Sequence, residues 1–339
     1  MQPTYYQEKL FAAITERCGD ASQLSTRIAD ELKISRGAAY RRIRGDTHLS
    51  LDEAMRLADV FGLALHELSD GQTQTAVFNK GPFIQSLDEY QRYLENSLQQ
   101  LELIAQMPGH QLIYQAKDIP IYYQFGFPKM GAFKIFVWLY SVYGIREVEG
   151  APLTLDNIPA SMLELARRQG RVFAQINSVE IWNDTTVLSM IKQLEYFFEA
   201  GLLPSREVAL TIIDEFEEMM RLIGRQVEEG YKGQPHHTES FTQATYRMYY
   251  HEILIMDNHI LALLPPEKQF YFIPYAGVNY LTTTDATLTR NLQGYLDQQC
   301  QKSSLINEVS EKERNRFFGT IRQRLERLRH QFQHSDPLG

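Results

Sequence analysis

Apolar side chains recur at helical spacing through most of the first 70 residues. Leu10, Phe11 and Ile14 mark the inner face of a helix over residues 5–17. Leu24, Ile28, Ala29 and Leu32 mark a second helix, and Lys33-Ile34-Ser35 then breaks the period. Ser35 stands as the N-cap of a third, short helix that runs to Arg44 and stops at Gly45. Ser50-Leu51-Asp52-Glu53 has the form of a capping box, with Leu49 placed to staple onto Ala54. It opens a fourth helix, and Leu63 to Leu68 predict a short fifth.

The period lapses after Asp70, and residues 71–82 read as a linker. Ser86-Leu87-Asp88-Glu89 is a second capping box, opening a helix to about Met107 that Pro108-Gly109 ends. Gln111 to Tyr114 predicts a short strand. Gly131 to Tyr143 is apolar on nearly all sides and predicts a helix crossing the core. Further helices are predicted over 160–176, 185–200 and 205–231, the last two joined through Gly201-Leu202-Leu203-Pro204. Tyr246 to Met256 is β-branched and aromatic, and Asp257-Asn258 offers a two-residue turn into His259 to Leu264. That pattern predicts a β-hairpin, with a third strand at 269–275. A helix over 288–300 follows, and Ser310-Glu311-Lys312-Glu313 opens a basic closing helix. The expected fold is mainly α. A five-helix domain at 1–70 precedes a large, mostly helical α+β domain at 83–339 with one small antiparallel sheet.

Composition changes this picture little. Over 339 residues, 44 % are hydrophobic and 22 % charged, ordinary values for a folded chain. Nothing at the N-terminus has the form of a signal peptide, and the longest apolar run, Ile135 to Tyr143, is too short to span a bilayer. The two cysteines, Cys18 and Cys300, have no disulfide or metal-ligand spacing. A cytoplasmic protein is expected.

Charge is more informative, because its distribution matters more than its sum. The net charge is −8, yet residues 1–70 hold 9 basic and 11 acidic side chains and residues 311–339 hold 7 and 4. The acidity sits in the middle of the chain. Between Leu32 and Gly45 the charged residues are Lys33, Arg36, Arg41, Arg42 and Arg44, all basic. At about 100° per residue, Ala39 and Ile43 form the buried edge of the third helix. Gly37, Arg41 and Arg44 then point away, flanked by Arg36 and Tyr40. A positive face that is small near its start and carries guanidinium forks suits phosphates and guanine edges.

This stretch resembles the Cro/C1-type (XRE) helix-turn-helix family. The matching features are Ile28-Ala29, Ile34-Ser35, Gly45, and Leu57-Ala58-Asp59-Val60-Phe61-Gly62 leading into Leu63–Leu68. The resemblance covers the first 70 residues or so and implies a sequence-specific transcription regulator. Its recognition helix, 35–44, would enter the major groove. By position, Arg36, Gly37 and Arg41 would contact bases, while Lys33, Arg42 and Arg44 would hold phosphates. Ser35 and Tyr40 complete the expected DNA-binding set, and Tyr40 is a departure from the family's shorter polar side chains. A homodimer on double-stranded DNA is expected.

Other groups are less specific. Tyr114, Lys117, Asp118, Tyr122 and Trp138 lie in an aromatic-rich stretch and are candidates for an effector pocket, against the alternative of ordinary core. His236-His237 has no third metal ligand in pattern and reads as a surface loop. The basic closing helix reads as a solvated face, as a partner for the acidic middle or for a second subunit, or as an auxiliary phosphate contact. No nucleotide-binding or nucleophile motif is present, so no cofactor and no enzymatic activity is expected. The competing readings are an enzyme, or a defence or antitoxin-type interaction protein, whose DNA-binding module controls only its own operon.

Overall fold

A computed structural model describes residues 5–18, 23–63, 68, 76–81, 83–235, 237–253, 257–264, 268–307 and 311–334, with 237–239 in backbone only. The chain divides into two units, Met1–Thr75 and Ala76–Gly339.

The first unit holds α1 (Tyr5–Cys18), α2 (Leu24–Leu32), α3 (Arg36–Ile43) and α4 (Leu51–Val60). Leu10, Phe11, Ile14, Leu24, Ile28, Ala39, Leu57 and Phe61 share one small core. The break after α2 is a left-handed turn at Lys33 (φ 54°), whose following amide, Ile34 N, donates back to Ala29 O at 3.0 Å. Ser35 Oγ accepts from Ala38 N at 3.2 Å and starts α3. The capping box of α4 forms in both directions between Ser50 and Glu53. Gln7 ties the first helix to this region, donating to Arg42 O and Thr47 O and accepting from Leu49 N. The predicted fifth helix falls largely outside the described residues.

The second unit corrects the expected fold class. Among the described residues, its strands form a nine-stranded mixed sheet, in the order β1-β10-β9-β8-β2-β5-β7-β11 with β6 paired to β7. The strands are β1 (Asn79–Lys80), β2 (Gln111–Gln115), β5 (Ser178–Trp182), β6 (Tyr231–Gln234), β7 (His237–Tyr250), β8 (His259–Leu264), β9 (Lys268–Tyr275), β10 (Asn279–Thr283) and β11 (Ser304–Leu305). A separate two-stranded ribbon joins β3 (Glu147–Val148) and β4 (Ala151–Pro152). The small antiparallel sheet expected from sequence is therefore one arm of a larger one. β1, β10, β9, β8 and β2 run antiparallel, and β2, β5 and β7 run parallel.

The parallel centre explains the miss. Parallel strands joined through helices are covered on both faces and lose the polar–apolar alternation that signals a strand. β5, SVEIW, is buried at every position, and its sequence signals neither strand nor helix. The predicted hairpin is also corrected: β7 and β8 are not neighbours, because β5 and β2 lie between them. His251 N continues the β5 ladder by donating to Trp182 O at 2.8 Å. Asn258, expected in a hairpin turn, instead accepts from Lys117 N and Asp118 N at the end of β2. β1 lies inside the segment read as linker and pairs with Leu281 and Thr282.

Helices cover the sheet unequally. α5 (Leu87–Gln106), α6 (Ile121–Phe125), α7 (Pro128–Val137), α8 (Ala160–Phe173), α9 (Leu188–Glu199), α10 (Arg206–Glu229) and α12 (Glu311–His334) contribute to one large core with Leu112, Tyr114, Tyr246 and Met248 of the sheet. α11 (Ala286–Gln301) packs Leu292 and Leu296 on the other face, against Ile113, Val179, Ile181 and Leu261. The buried helix expected from Gly131 onward is α7, which passes into a π-helical turn at Trp138–Val142. α5 opens with Ser86 accepting from Glu89 N, and the Glu89 carboxylate accepts from Gln85 N at 2.7 Å and from the Ser86 hydroxyl at 3.1 Å. Ser310 and its capping box lie outside the described residues. No helix among the described residues is long and apolar enough to cross a membrane.

Candidate nucleic-acid interface

α3 is nearly all surface. Ala39 is its fully buried residue and Ile43 is half-buried, as the 100° spacing requires. Lys33, Ser35, Arg36, Gly37, Tyr40, Arg41 and Arg44 are exposed. Arg36 Nε donates to Ser25 Oγ at 3.2 Å, which fixes its stem while the rest of the guanidinium stays on the surface. The Arg44 guanidinium lies 5.9 Å from the centre of the Tyr40 ring and 3.5 Å from Asp46 Oδ2. A Cβ placed on Gly37 would meet nothing within 4 Å, and Gly37 is not in the positive-φ region. Neither packing nor backbone geometry requires glycine there.

Arg42 differs from its neighbours. Its guanidinium faces the start of α4 and bonds both oxygens of Glu53, at 2.9 and 3.2 Å. The same carboxylate accepts from Ser50 N at 3.0 Å. Burial alone would raise the Glu53 pKa, but the Arg42 and Ser50 bonds outweigh it and hold the group below its ordinary value. Arg42 therefore joins α3 to α4 and is not part of the outward basic face.

None of the five effector-pocket candidates lines either of two open surface grooves of the larger unit. Tyr114 and Tyr122 are buried, with Tyr114 hydrogen-bonded to Tyr280 and Tyr122 to Ser97. Lys117 is exposed and Asp118 half-buried, their amides held by Asn258. Trp138 lies beside Lys134 on α7. Two open surface grooves, of about 490 and 520 Å³, are lined elsewhere, by Tyr231 and Phe241 and by Ser86 and Arg146 among others. The described residues contain no group of three or more metal-ligating side chains, and His236 and the His237 side chain lie outside them.

Sequence reasoning missed a buried ionic centre. Lys232 of β6 and Glu180 of β5 are both fully buried, with Nζ 2.9 Å from Glu180 Oε1. Tyr123 donates to Oε1 at 2.8 Å, and Trp182 and Tyr246 donate to Oε2 at 2.9 and 3.2 Å. The ammonium lies 4.1 to 4.5 Å from the ring centres of Phe173, Tyr123 and Tyr246. Burial pushes Lys232 down and both tyrosines up. Lys232 also donates to the Tyr123 hydroxyl, so the centre joins α6, β5, β6 and β7. The sequence signal for it is a lone charge, Glu180, in the pentapeptide SVEIW and a lone Lys between Tyr231 and Gly233.

On the closing helix, Arg314 pairs with Glu228, Arg329 with Asp214 and Glu217, and Arg324 donates to Asp184 O. These three arginines turn toward the acidic middle of the chain.

No family model, curated protein or solved structure matches this chain.

Proposed function

We propose that this chain is a sequence-specific DNA-binding transcription regulator of the Cro/C1 type, working as a homodimer on double-stranded DNA. The observation that carries the reading is the outward face of α3, where Lys33, Arg36, Gly37, Tyr40, Arg41 and Arg44 are exposed together and Arg42 is held by Glu53. In this reading α3 enters the major groove. Arg36 and Arg41 read base edges, Gly37 admits the DNA closely, and Lys33 and Arg44 contact phosphates. Ala76–Gly339 supplies oligomerisation and effector response.

The test is selection of bound sequences from random duplexes with wild type and Arg41→Ala in parallel, followed by salt titration. Wild type should enrich a two-fold or directly repeated site. Arg41→Ala should lose that preference and keep weak, salt-sensitive binding. Enrichment of nothing by wild type would overturn the reading.

A further inference from the structure

Two lysines are buried in the larger unit, and the fold treats them differently. Lys232 has Glu180 and three aromatic faces around it. Lys134, on α7, is 5 % exposed and makes no ion pair among the described residues. Its ammonium donates to Gln193 Oε1 at 2.7 Å and lies 5.7 Å from the centre of the Trp138 ring. Asp118 acts on it only as a charge at a distance. With a neutral amide as its direct partner, the ammonium has its desolvation cost offset only in part by Asp118.

A second, independent observation lies one helical turn away. The indole Nε1 of Trp138 is buried with no acceptor among the described residues, although buried indole N–H groups ordinarily have one. Trp138 begins the π-helical turn that follows α7, and such turns are frequent at functional sites. The rest of its side chain is partly exposed, so this corner of α7 reaches the surface. The place thus holds a cation and a neutral donor, both short of acceptors. The group that satisfies both is an oxyanion, which brings a negative charge into direct contact with the ammonium and offers several lone pairs.

We propose that Lys134 and Trp138 form a recognition site for a small oxyanion, a carboxylate or phosphate group, with Gln193 holding the ammonium in place. The site belongs to the larger unit and does not depend on the DNA-binding reading.

Thermal unfolding of the full chain, followed by tryptophan fluorescence, tests it in acetate, in phosphate and in chloride at matched ionic strength. An oxyanion should raise Tm saturably above the chloride control, as a ligand of the folded state does. A response to acetate alone identifies a carboxylate ligand, and to phosphate alone a phosphate. Lys134→Met should abolish the response and Lys134→Arg should retain it. Trp138→Phe, losing one hydrogen bond, should weaken the apparent affinity roughly five- to tenfold. The proposal fails if wild type gains nothing over chloride up to about 100 mM of either oxyanion. It fails equally if Lys134→Met responds as wild type does. Should Lys134→Met not fold, the wild-type and Trp138→Phe titrations still decide the matter.

Discussion

Arg42 grips both oxygens of Glu53, and Glu53 also closes the capping box of α4, so one carboxylate fixes the angle between α3 and the next helix. The two side chains are 17 % and 22 % exposed, which limits solvent screening of the pair. Arg42→Ala should therefore destabilise the first unit by about 1–2 kcal/mol, the range for a charged hydrogen bond discounted for partial exposure. Arg41→Ala should cost nothing measurable by denaturant unfolding. Because the Glu53 pKa is lower in the folded chain, its contribution is complete above the unfolded value of 4.5 and disappears as the pH falls through the folded value. Wild type should lose stability in that acid window more steeply than Glu53→Gln.

Gly37 predicts opposite effects on folding and on binding. A methyl group there meets nothing within 4 Å, and replacing glycine inside a helix gains about 0.5–1 kcal/mol. Gly37→Ala should raise the Tm of the first unit. If α3 lies in the major groove as proposed, the same methyl group should weaken specific DNA binding. Unchanged binding would remove Gly37 from the contact surface.

Legibility followed the physics of each unit. In the first, every helix has a solvated face, so period 3.6, the Ser35 cap and the Ser50–Glu53 box were readable from local sequence. The commitment of Arg42 was not, because Glu53 is 11 residues away and the choice between DNA and Glu53 depends on tertiary geometry. In the second unit, the strand expected at Gln111–Tyr114 is β2, but β5 is packed on both faces and carries no alternation. Pairing between strands far apart in sequence leaves no local trace either, which is why β7 and β8 read as a hairpin. Lys134 sat unnoticed within an apolar run, and only its burial beside Trp138 gives it meaning.

The Glu180–Lys232 pair calls for a double-mutant cycle. Lys232→Met leaves a carboxylate buried among Tyr123, Trp182 and Tyr246, and Glu180→Gln leaves an ammonium buried among rings. Each single change should cost about 3–5 kcal/mol, while the double replacement should cost much less than their sum. Additive losses in urea unfolding would mean that the two charges do not depend on each other.

Gly277 is required twice over. It lies at φ 95°, in the turn between β9 and β10, and a Cβ on it would stand 2.6 Å from the Tyr143 hydroxyl oxygen. That hydroxyl donates to Ala276 O and accepts from Val278 N, holding the turn from outside. Gly277→Ala should cost about 1–3 kcal/mol through backbone strain and displacement of Tyr143. Tyr143→Phe in the same background should recover part of the loss, and its failure to do so would assign the cost to the backbone alone.

Lys134 makes the last prediction, and its sign follows from linkage. Burial lowers its pKa from 10.5 to about 8, opposed by the more distant charge of Asp118. Between those values the unfolded chain binds a proton that the folded chain does not, so this lysine's contribution to stability rises with pH across the window. Below pH 8 the folded chain carries a buried charge whose penalty is on the order of 3 kcal/mol. Lys134→Met removes that charge and should be the more stable protein near pH 7 in chloride. Its advantage should shrink as the pH rises from 8 toward 10, where wild type sheds the proton. Cys300 and the buried tyrosines, raised by burial, act in the opposite sense as the pH climbs past 9. They are common to both proteins and cancel in the difference between the two unfolding curves. A difference that stays flat from pH 7 to 10 would mean that Lys134 keeps its proton in the folded chain throughout.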